Sequence, residues 1–551
     1  MKTDQFPKVN DSRTVIMEDT EVSLRECTAD DIAEAHRVQR EAFLRDGPPS
    51  LAVRRNRMDR LSALTYEHRE AIVEAIRLDF GHRPVEISTL WDVVAALSDF
   101  AHIRRNLGKW MKARPVMSAA RPLGLRTRVQ AQPLGVVGIM APWNLPVHLL
   151  ICPATAALAA GNRVLLKPSE LTPRTATLLE KLAAQYFSTE ELAVVTGGPQ
   201  TSAAFCSMPW DHLLFTGSPE VGKHVQRAAA DHLVPVTLEL GGKNPVVVGR
   251  DADIATAASR TARARLWNGG QTCLCPDLVF VPAERCDDFI AAVEQQFRRS
   301  FPTILDNPEH CTIVNDKNYQ RILGLIDDAR AKGATVIEAA PPGEDLPSAN
   351  QRRIAPTILR DVTDDMEVMH QEVFGPVLSV LPYKQLDEVI DYLNARPSPL
   401  ASYWFGEDSA DFRRYCAHTR NGGITRNDCV VHATIDGAPF GGVGNSGMGA
   451  YHGKAGFDTF SHYRPITESR LRGSAMGLLT VPPVSPRVGA AIDWVARKQA
   501  ARLRKRIDRF AESHAGAGQP RVTMTKTTES NGRGPDSRDR QQGNGTPVAI
   551  G

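Results

Sequence analysis

The sequence predicts an α/β protein built on open, largely parallel sheets, on three observations. From Val136 onward, short apolar runs alternate with stretches of helical spacing. Capping residues such as Thr28 and Ser218 stand where those helices begin. No apolar run reaches the ~18 residues that a membrane span requires. A length of 551 residues exceeds one ordinary core and implies two or three domains.

In chain order, the polar start is expected to be loosely ordered and carries no signal-peptide core. Thr28 then caps a helix with an acidic first turn (Asp30, Asp31) and apolar Ile32, Ala35, Val38 and Ala42. Helical spacing resumes over Leu51 to Phe80 and Ile87 to Trp110, until Pro115, Pro122 and Gly124 interrupt the chain. Leu125 to Gln132 alternates in character, as an edge or bridging strand does. A βαβ rhythm follows. Its strands are Val136 to Met140, Val164 to Leu166, Leu192 to Val195 and His212 to Phe215. Its helices include Val147 to Ala160, Thr172 to Tyr186 and one from Ser218 to about Asp231.

A second cycle begins after Glu239, with a domain boundary near Leu240. Strands Pro245 to Val248, Leu278 to Val281, Thr335 to Glu338, Val377 to Leu381 and Ala401 to Phe405 belong to it. So do helices Ile254 to Trp267, Cys286 to Arg298 and Tyr319 to Ala331. Gly441 to Gly449 is a glycine-rich loop. Beyond it lies a basic helix with Ala496, Ala500, Leu503, Ile507 and Phe510 down one face. Such a helix can lie on an anionic membrane surface, or it is simply solvated. The polar end from Ser513 onward is expected to be disordered.

Composition narrows the function classes. A formal charge of +3 is too small for this length to imply a nucleic-acid partner. Nine scattered cysteines, an odd number, argue against a disulfide framework and for a reducing, cytoplasmic compartment. Cys273 and Cys275 form a C-x-C pair without the about four ligands of a structural zinc site, so no metal is expected.

Several segments carry chemistry, each with an ordinary alternative. Cys273 follows a helix and two glycines, so its thiol is either a nucleophile at a cleft mouth or a small buried filler. Phe215 to Lys223 passes from strand to helix through Gly217 and Ser218, as a phosphate site or merely a well-capped helix. Lys167, Ser169 and Glu170 follow a strand at the sheet edge where ligands bind; a carboxylate there can take both ribose hydroxyls of NAD. Glu239 lies between two leucines, where burial would make it a base, or it points to solvent. Asn144 can hold an oxyanion or make a turn. Gly442, Gly444 and Gly447 match G-x-G-x-x-G but lack the strand–turn–helix context, and read as a tight loop. One reaction uses the rest together: aldehyde oxidation through a cysteine thiohemiacetal and thioester.

These segments resemble the aldehyde dehydrogenase superfamily from about Ala29 to His462. The matching pieces are Pro142-Trp143-Asn144, Lys167-Pro168-Ser169-Glu170, Phe215-Thr216-Gly217-Ser218, Leu238 to Lys243, Gly270-Gln271-Thr272-Cys273, Glu372 to Pro376 and Pro439 to Gly442. Asn427-Asp428, Asn445 to Gly449 and Tyr451 to Lys454 are similar to the class 3 branch, which includes fatty, aromatic and bacterial coniferyl aldehyde dehydrogenases.

The resemblance implies Cys273 as nucleophile, Glu239 as base and Asn144 as oxyanion donor. It implies Lys167 and Glu170 at the adenosine ribose, and Trp143 and Ser218 near the pyrophosphate. Glu372 would meet the nicotinamide ribose and Phe374 the nicotinamide, with Met140, Ser169, Gly217, Gly222 and Leu240 completing an NAD site that NADP could also enter. It implies a Rossmann-like cofactor domain (25–238, interrupted by an arm strand at 122–133) and an α/β catalytic domain (239–425). A return segment with a small β oligomerisation arm (426–480) would make a homodimer, flanked by a polar extension (1–24), a basic helical tail (481–512) and a disordered end (513–551). The substrate expected is an aromatic or medium- to long-chain aldehyde, with a small charged semialdehyde as the alternative. Cys275 departs from the branch pattern, as a filler or a resolving thiol.

Overall fold

The computed structural model describes residues 24–117, 125–470, 482–483 and 485–513. The expected polar start up to residue 23, the breaks at Pro122 and Gly124, and the expected disorder beyond Ser513 lie outside the described residues. The chain divides into two units, 1–119 with 126–468 and 120–125 with 469–551.

The first unit holds two large sheets. One has six strands in the order Gly447–Met448, Val236–Leu240, His212–Gly217, Val136–Met140, Arg163–Lys167 and Leu192–Val194. All its pairings are parallel except that of Gly447–Met448, so helices must cover both faces. The chain enters at Val136–Met140, builds outward to Leu192–Val194, then returns to add His212–Gly217 on the other side. This reversal makes a crevice at the carboxyl ends of the strands, where Met140 lies level with Lys167 and Phe215, and Thr216 with Glu239.

The second sheet runs Thr335–Glu338, Thr357–Arg360, Val377–Tyr383, Leu278–Pro282, Pro245–Val248, Ala401–Phe405 and Gly423–Arg426. Only the Thr335–Glu338 edge is antiparallel. A third, three-stranded sheet joins Arg114–Val116, Leu125–Pro133 and Ser461–Ser469. There the expected strand pairs with residues after Phe457, and Arg128 meets Glu468 at 2.6 Å.

The N-terminal helices follow their sequence signals. Thr28 and Asp31 form a reciprocal capping box at Ala29–Asp46. Helical spacing over 51–80 is broken once, at His68, into Leu51–Glu67 and Arg69–Phe80. The helix ending at Trp110 carries a π turn, Thr89–Val94, that spacing alone does not reveal. Inside this turn Asp92 is fully buried, 3.0 Å from the equally buried Arg83. Its other oxygen accepts the amides of Val147 and His148 at 3.1 and 3.3 Å, tying the π turn to the start of helix His148–Ala160.

The boundary expected at residue 239 moves. Glu239 and Leu240 end a strand of the first sheet, and the second sheet starts at Pro245, so the crossing falls at 241–244. Glu239 reads in isolation as a strand end. Pairing on both sides, with Thr216 and Gly447, keeps it within the sheet.

In the second unit, helix Pro486–Ser513 exposes Ile492, Leu503, Ile507 and Phe510 along one face, and Lys498 caps the Trp494 ring at 4.5 Å. No helix among the described residues is long and apolar enough to cross a membrane.

Candidate active site

Helix Ile254–Leu266 ends in a tight turn, Trp267–Gly270, in which Asn268 and Gly269 take left-handed φ values of 53° and 64°. Gly270 must lack a side chain, because a Cβ there would stand 2.1 Å from the Gly375 carbonyl. The turn buries Asn268 to Thr272 and leaves Cys273 partly exposed. Gln271 locks it: its amide donates to the carbonyls of Asn268 and Thr312, both at 3.0 Å, and its carbonyl oxygen Oε1 accepts from the Val314 amide. Asn144 donates to the Gln271 backbone oxygen at 3.1 Å, and Asn244 donates to that of Cys273 at 2.6 Å. Asn244 stands in the Leu238-to-Pro245 segment, but nothing in its sequence context marks it as the clamp.

Two hollows meet at this turn. The larger, about 1480 Å³, lies at the carboxyl ends of the first sheet; the smaller, about 230 Å³, is walled mainly by apolar and aromatic side chains. Cys273, Glu239 and Thr216 line both. Asn144 lines the larger one.

Glu239 is only 3% exposed, and its carboxylate oxygens make no well-aligned hydrogen bond, although the Gly442 amide partly stabilises the ionised form. Burial pushes its pKa well above the ordinary carboxylate range. Burial also raises the Cys273 thiol, with the charges of Glu372, Cys275 and Glu239 adding to the effect. The protein's own groups therefore favour the thiol form of Cys273 over the thiolate. Cys275 is buried against the Trp267 carbonyl with its pKa pushed up to about 11, as a filler would be.

The larger hollow has the donor set of a dinucleotide site. Met140, Trp143, Lys167, Ser169, Glu170, Gly217, Ser218, Glu372 and Phe374 all line it. Lys167 is 2% exposed with its ammonium 3.4 Å from Glu170, and burial lowers its pKa. Ser218 accepts the Val221 amide and caps helix Pro219–Ala230. Burial, reinforced by Asp277, lifts Glu372 to a pKa of about 8. Gly241 makes room for it, since a Cβ there would meet Oε2 at 2.0 Å. Phe374, at φ 50°, meets Trp143 edge-on with centroids 5.4 Å apart.

Gly222 and Leu240 stand apart from the other residues expected at the cofactor. Neither lines the hollow; they pack on each other, and a Cβ on Gly222 would meet Leu240 at 2.7 Å. Their place is the helix–sheet interface. The glycine loop is confirmed as a tight loop: Gly447 pairs with Glu239, and a Cβ there would strike the Leu238 carbonyl. Sequence reading missed the scaffold behind Glu372, in which Arg321 donates to the carbonyls of Glu372 and Val373. Lys243 joins it, donating to Asp277 and to the carbonyls of Val368 and Gln371.

Residues 4–466 match the model of the aldehyde dehydrogenase family. The chain belongs to that family. A protein of Caulobacter vibrioides named "Probable coniferyl aldehyde dehydrogenase" is 47% identical over 81% of this chain and 92% of its own. The substrate-bound structure of Staphylococcus aureus AldH superposes with a TM-score of 0.78 at 32% identity, covering 84% of this chain and 99% of that one. The P. syringae indole-3-acetaldehyde dehydrogenase, solved with NAD+, matches with a TM-score of 0.72 at 26% identity over 81% of this chain and 90% of its own. This aldehyde dehydrogenase accordingly uses NAD(P) and oxidises aldehydes through a catalytic cysteine.

Proposed function

We propose that this aldehyde dehydrogenase oxidises an aromatic, coniferyl-type aldehyde to its carboxylic acid, with Cys273 as nucleophile, Glu239 as base and Asn144 as oxyanion donor. The observation that carries the reading is the shared wall: Cys273 and Glu239 border both the aromatic cavity and the dinucleotide cleft. Trp91 and Trp267, with ring centroids 4.2 Å apart, flank the cavity with Phe440 and Tyr451. About 230 Å³ suits a single substituted ring and is small beside the roughly 300–1,000 Å³ of larger ligand sites. Among the described residues, the cavity wall bears Asp99, Glu239 and Asp436 but no Lys or Arg, which speaks against a carboxylate-tailed semialdehyde.

Glu239 takes the Cys273 proton as the sulfur attacks the carbonyl carbon, forming the C–S bond. The negative oxygen is held by the second N–H of Asn144 and the Cys273 amide. Bound NAD(P) supplies the hydride acceptor. Lys167 and Glu170 would hold its adenosine ribose, Trp143 and Ser218 its pyrophosphate, Glu372 its nicotinamide ribose and Phe374 its nicotinamide. Glu239, having released its proton to solvent, deprotonates the water that cleaves the thioester and frees the thiol. The first sheet serves as cofactor domain and the second as catalytic domain. The three-stranded sheet is the arm through which two copies pair, so sedimentation should report the mass of a dimer.

Cys273→Ala should abolish NADH formation while NAD still binds by fluorescence titration; near-normal turnover in that variant would overturn the assignment. A panel of coniferaldehyde, hexanal and succinic semialdehyde tests the substrate class, and the highest kcat/KM for hexanal or the semialdehyde would reject it.

A further inference from the structure

The aromatic cavity contains buried polar atoms that the mechanism does not use. Asp99, on helix Ala95–Trp110, is 4% exposed and lines the cavity with one oxygen, Oδ2, lacking a partner. His452 lines it too, and its Nε2 is likewise buried without a partner. An unmade hydrogen bond at a buried polar atom is costly, so two residues that line one cavity and each carry such an atom ask for a ligand that bonds both.

The backbone brings these side chains together. The other oxygen of Asp99 accepts the amide of Gly453, the residue after His452, at 3.2 Å. His452 sits at φ 76°, ψ 138°, a conformation that residues with a side chain rarely adopt. Gly453 at φ 46° leaves no room for a Cβ, which would lie 2.2 Å from the Asp436 carbonyl. Strain of this kind persists where the surroundings enforce it, and it gathers at ligand-binding positions. The Phe440 ring stacks on the imidazole with centroids 5.2 Å apart and fixes its plane.

We propose that Asp99 and His452 recognise a hydroxyl on the substrate ring, making the enzyme selective for hydroxylated aromatic aldehydes. This rests on the aromatic reading given above and adds the groups that enforce it. A ring hydroxyl is both donor and acceptor: it donates to Asp99 Oδ2 and accepts from His452 when the imidazole carries its hydrogen on Nε2. Burial supports that protonation state, pushing His452 down to about 3 so that the ring is neutral at physiological pH. Burial likewise lifts Asp99 to about 7, with the Gly453 amide opposing and Asp436 adding to the rise. An aliphatic tail or an unsubstituted ring satisfies neither atom. Sites built to bond a hydroxyl discriminate strongly against analogues that lack it.

The test compares kcat/KM for 3-hydroxy- and 4-hydroxybenzaldehyde with their methyl analogues, using the full chain and NAD. A hydroxyl has nearly the size of a methyl group, donates electrons to the carbonyl from the para position and withdraws them only weakly from the meta position, so a tenfold preference reports recognition. We expect the better hydroxylated ring to exceed its methyl analogue at least tenfold. That ratio should fall at least fivefold in Asp99→Asn and in His452→Asn, the latter chosen because asparagine tolerates positive φ. Taking the ratio within each variant cancels any general loss of activity. A wild-type ratio near one, with both rings oxidised, sinks the pair and spares the aromatic reading. A ratio retained in both variants sinks it as well. Turnover of hexanal alone removes the aromatic reading and the pair with it.

Discussion

The cofactor cleft and the aromatic cavity share Cys273 and Glu239 yet are built on different plans. The cleft draws its groups from the carboxyl ends of adjacent parallel strands, so Lys167, Glu170, Gly217 and Ser218 fall within a few residues of a strand terminus. Its chemistry is polar and charged. The cavity draws on a π turn, the start of a helix and two loops far apart in the chain, including Trp91, His148, Asp436 and His452. Its chemistry is aromatic, with a few buried polar atoms. A dinucleotide is met by a surface that the topology of the sheet creates almost automatically. The proposed aldehyde cavity is made by packing, which any of several distant segments can alter.

Variants should separate the two regions. Glu239→Gln acts where they join and should lower kcat by roughly 10²–10⁴-fold, the usual weight of a general base. Stopped-flow should show whether the variant still forms NADH in a burst. A wild-type rate would break the shared-wall picture. The sign of the pH effect follows from burial. A base works ionised, and a pKa held well above the ordinary carboxylate range makes the rate climb with pH beyond that range. A rate already flat from pH 5 upward would contradict this.

Asp92→Ala should act on the cavity side. It strands Arg83 and two backbone amides, and losing one partner of a buried pair costs about 3–5 kcal/mol. Urea unfolding should show that loss, and KM for aldehyde should rise more than KM for NAD. Glu170→Gln should act on the cleft alone. Removing the charge that repels a 2′-phosphate should shift the NAD/NADP ratio of kcat/KM roughly tenfold toward NADP, about 1.4 kcal/mol. An unchanged ratio would exclude Glu170 from the ribose site. Truncation after Pro486 should leave kcat unchanged. If the basic helix contacts membranes peripherally, truncation should abolish co-sedimentation with anionic vesicles; equal co-sedimentation with and without the helix would exclude that contact.

The parallel strands could be read from local order because a strand buried on both faces is an apolar run whatever surrounds it. Pro245–Val248 and Ala401–Phe405 agree with their expected limits for that reason. Thr357–Arg360 and Gly423–Arg426 went unread because each holds at most two apolar residues beside polar ones, too few to mark a buried strand. The packing of the Leu240 side chain on the Gly222 backbone was likewise hidden in the sequence, since the two positions lie on a helix and a strand that only the fold brings together.

The order of residues along the chain was enough to establish the sheet class, the strand ends and the short list of groups able to act as nucleophile, base and ribose ligand. Each of these depends on neighbours a few positions away. The protonation of Cys273, the two unpartnered atoms of Asp99 and His452, and the shape of the cavity came only with the folded chain. Burial and charge interactions sum over every atom nearby in space, and around Cys273 those atoms come from segments such as Trp91, Glu239 and Glu372 that lie far from it in sequence.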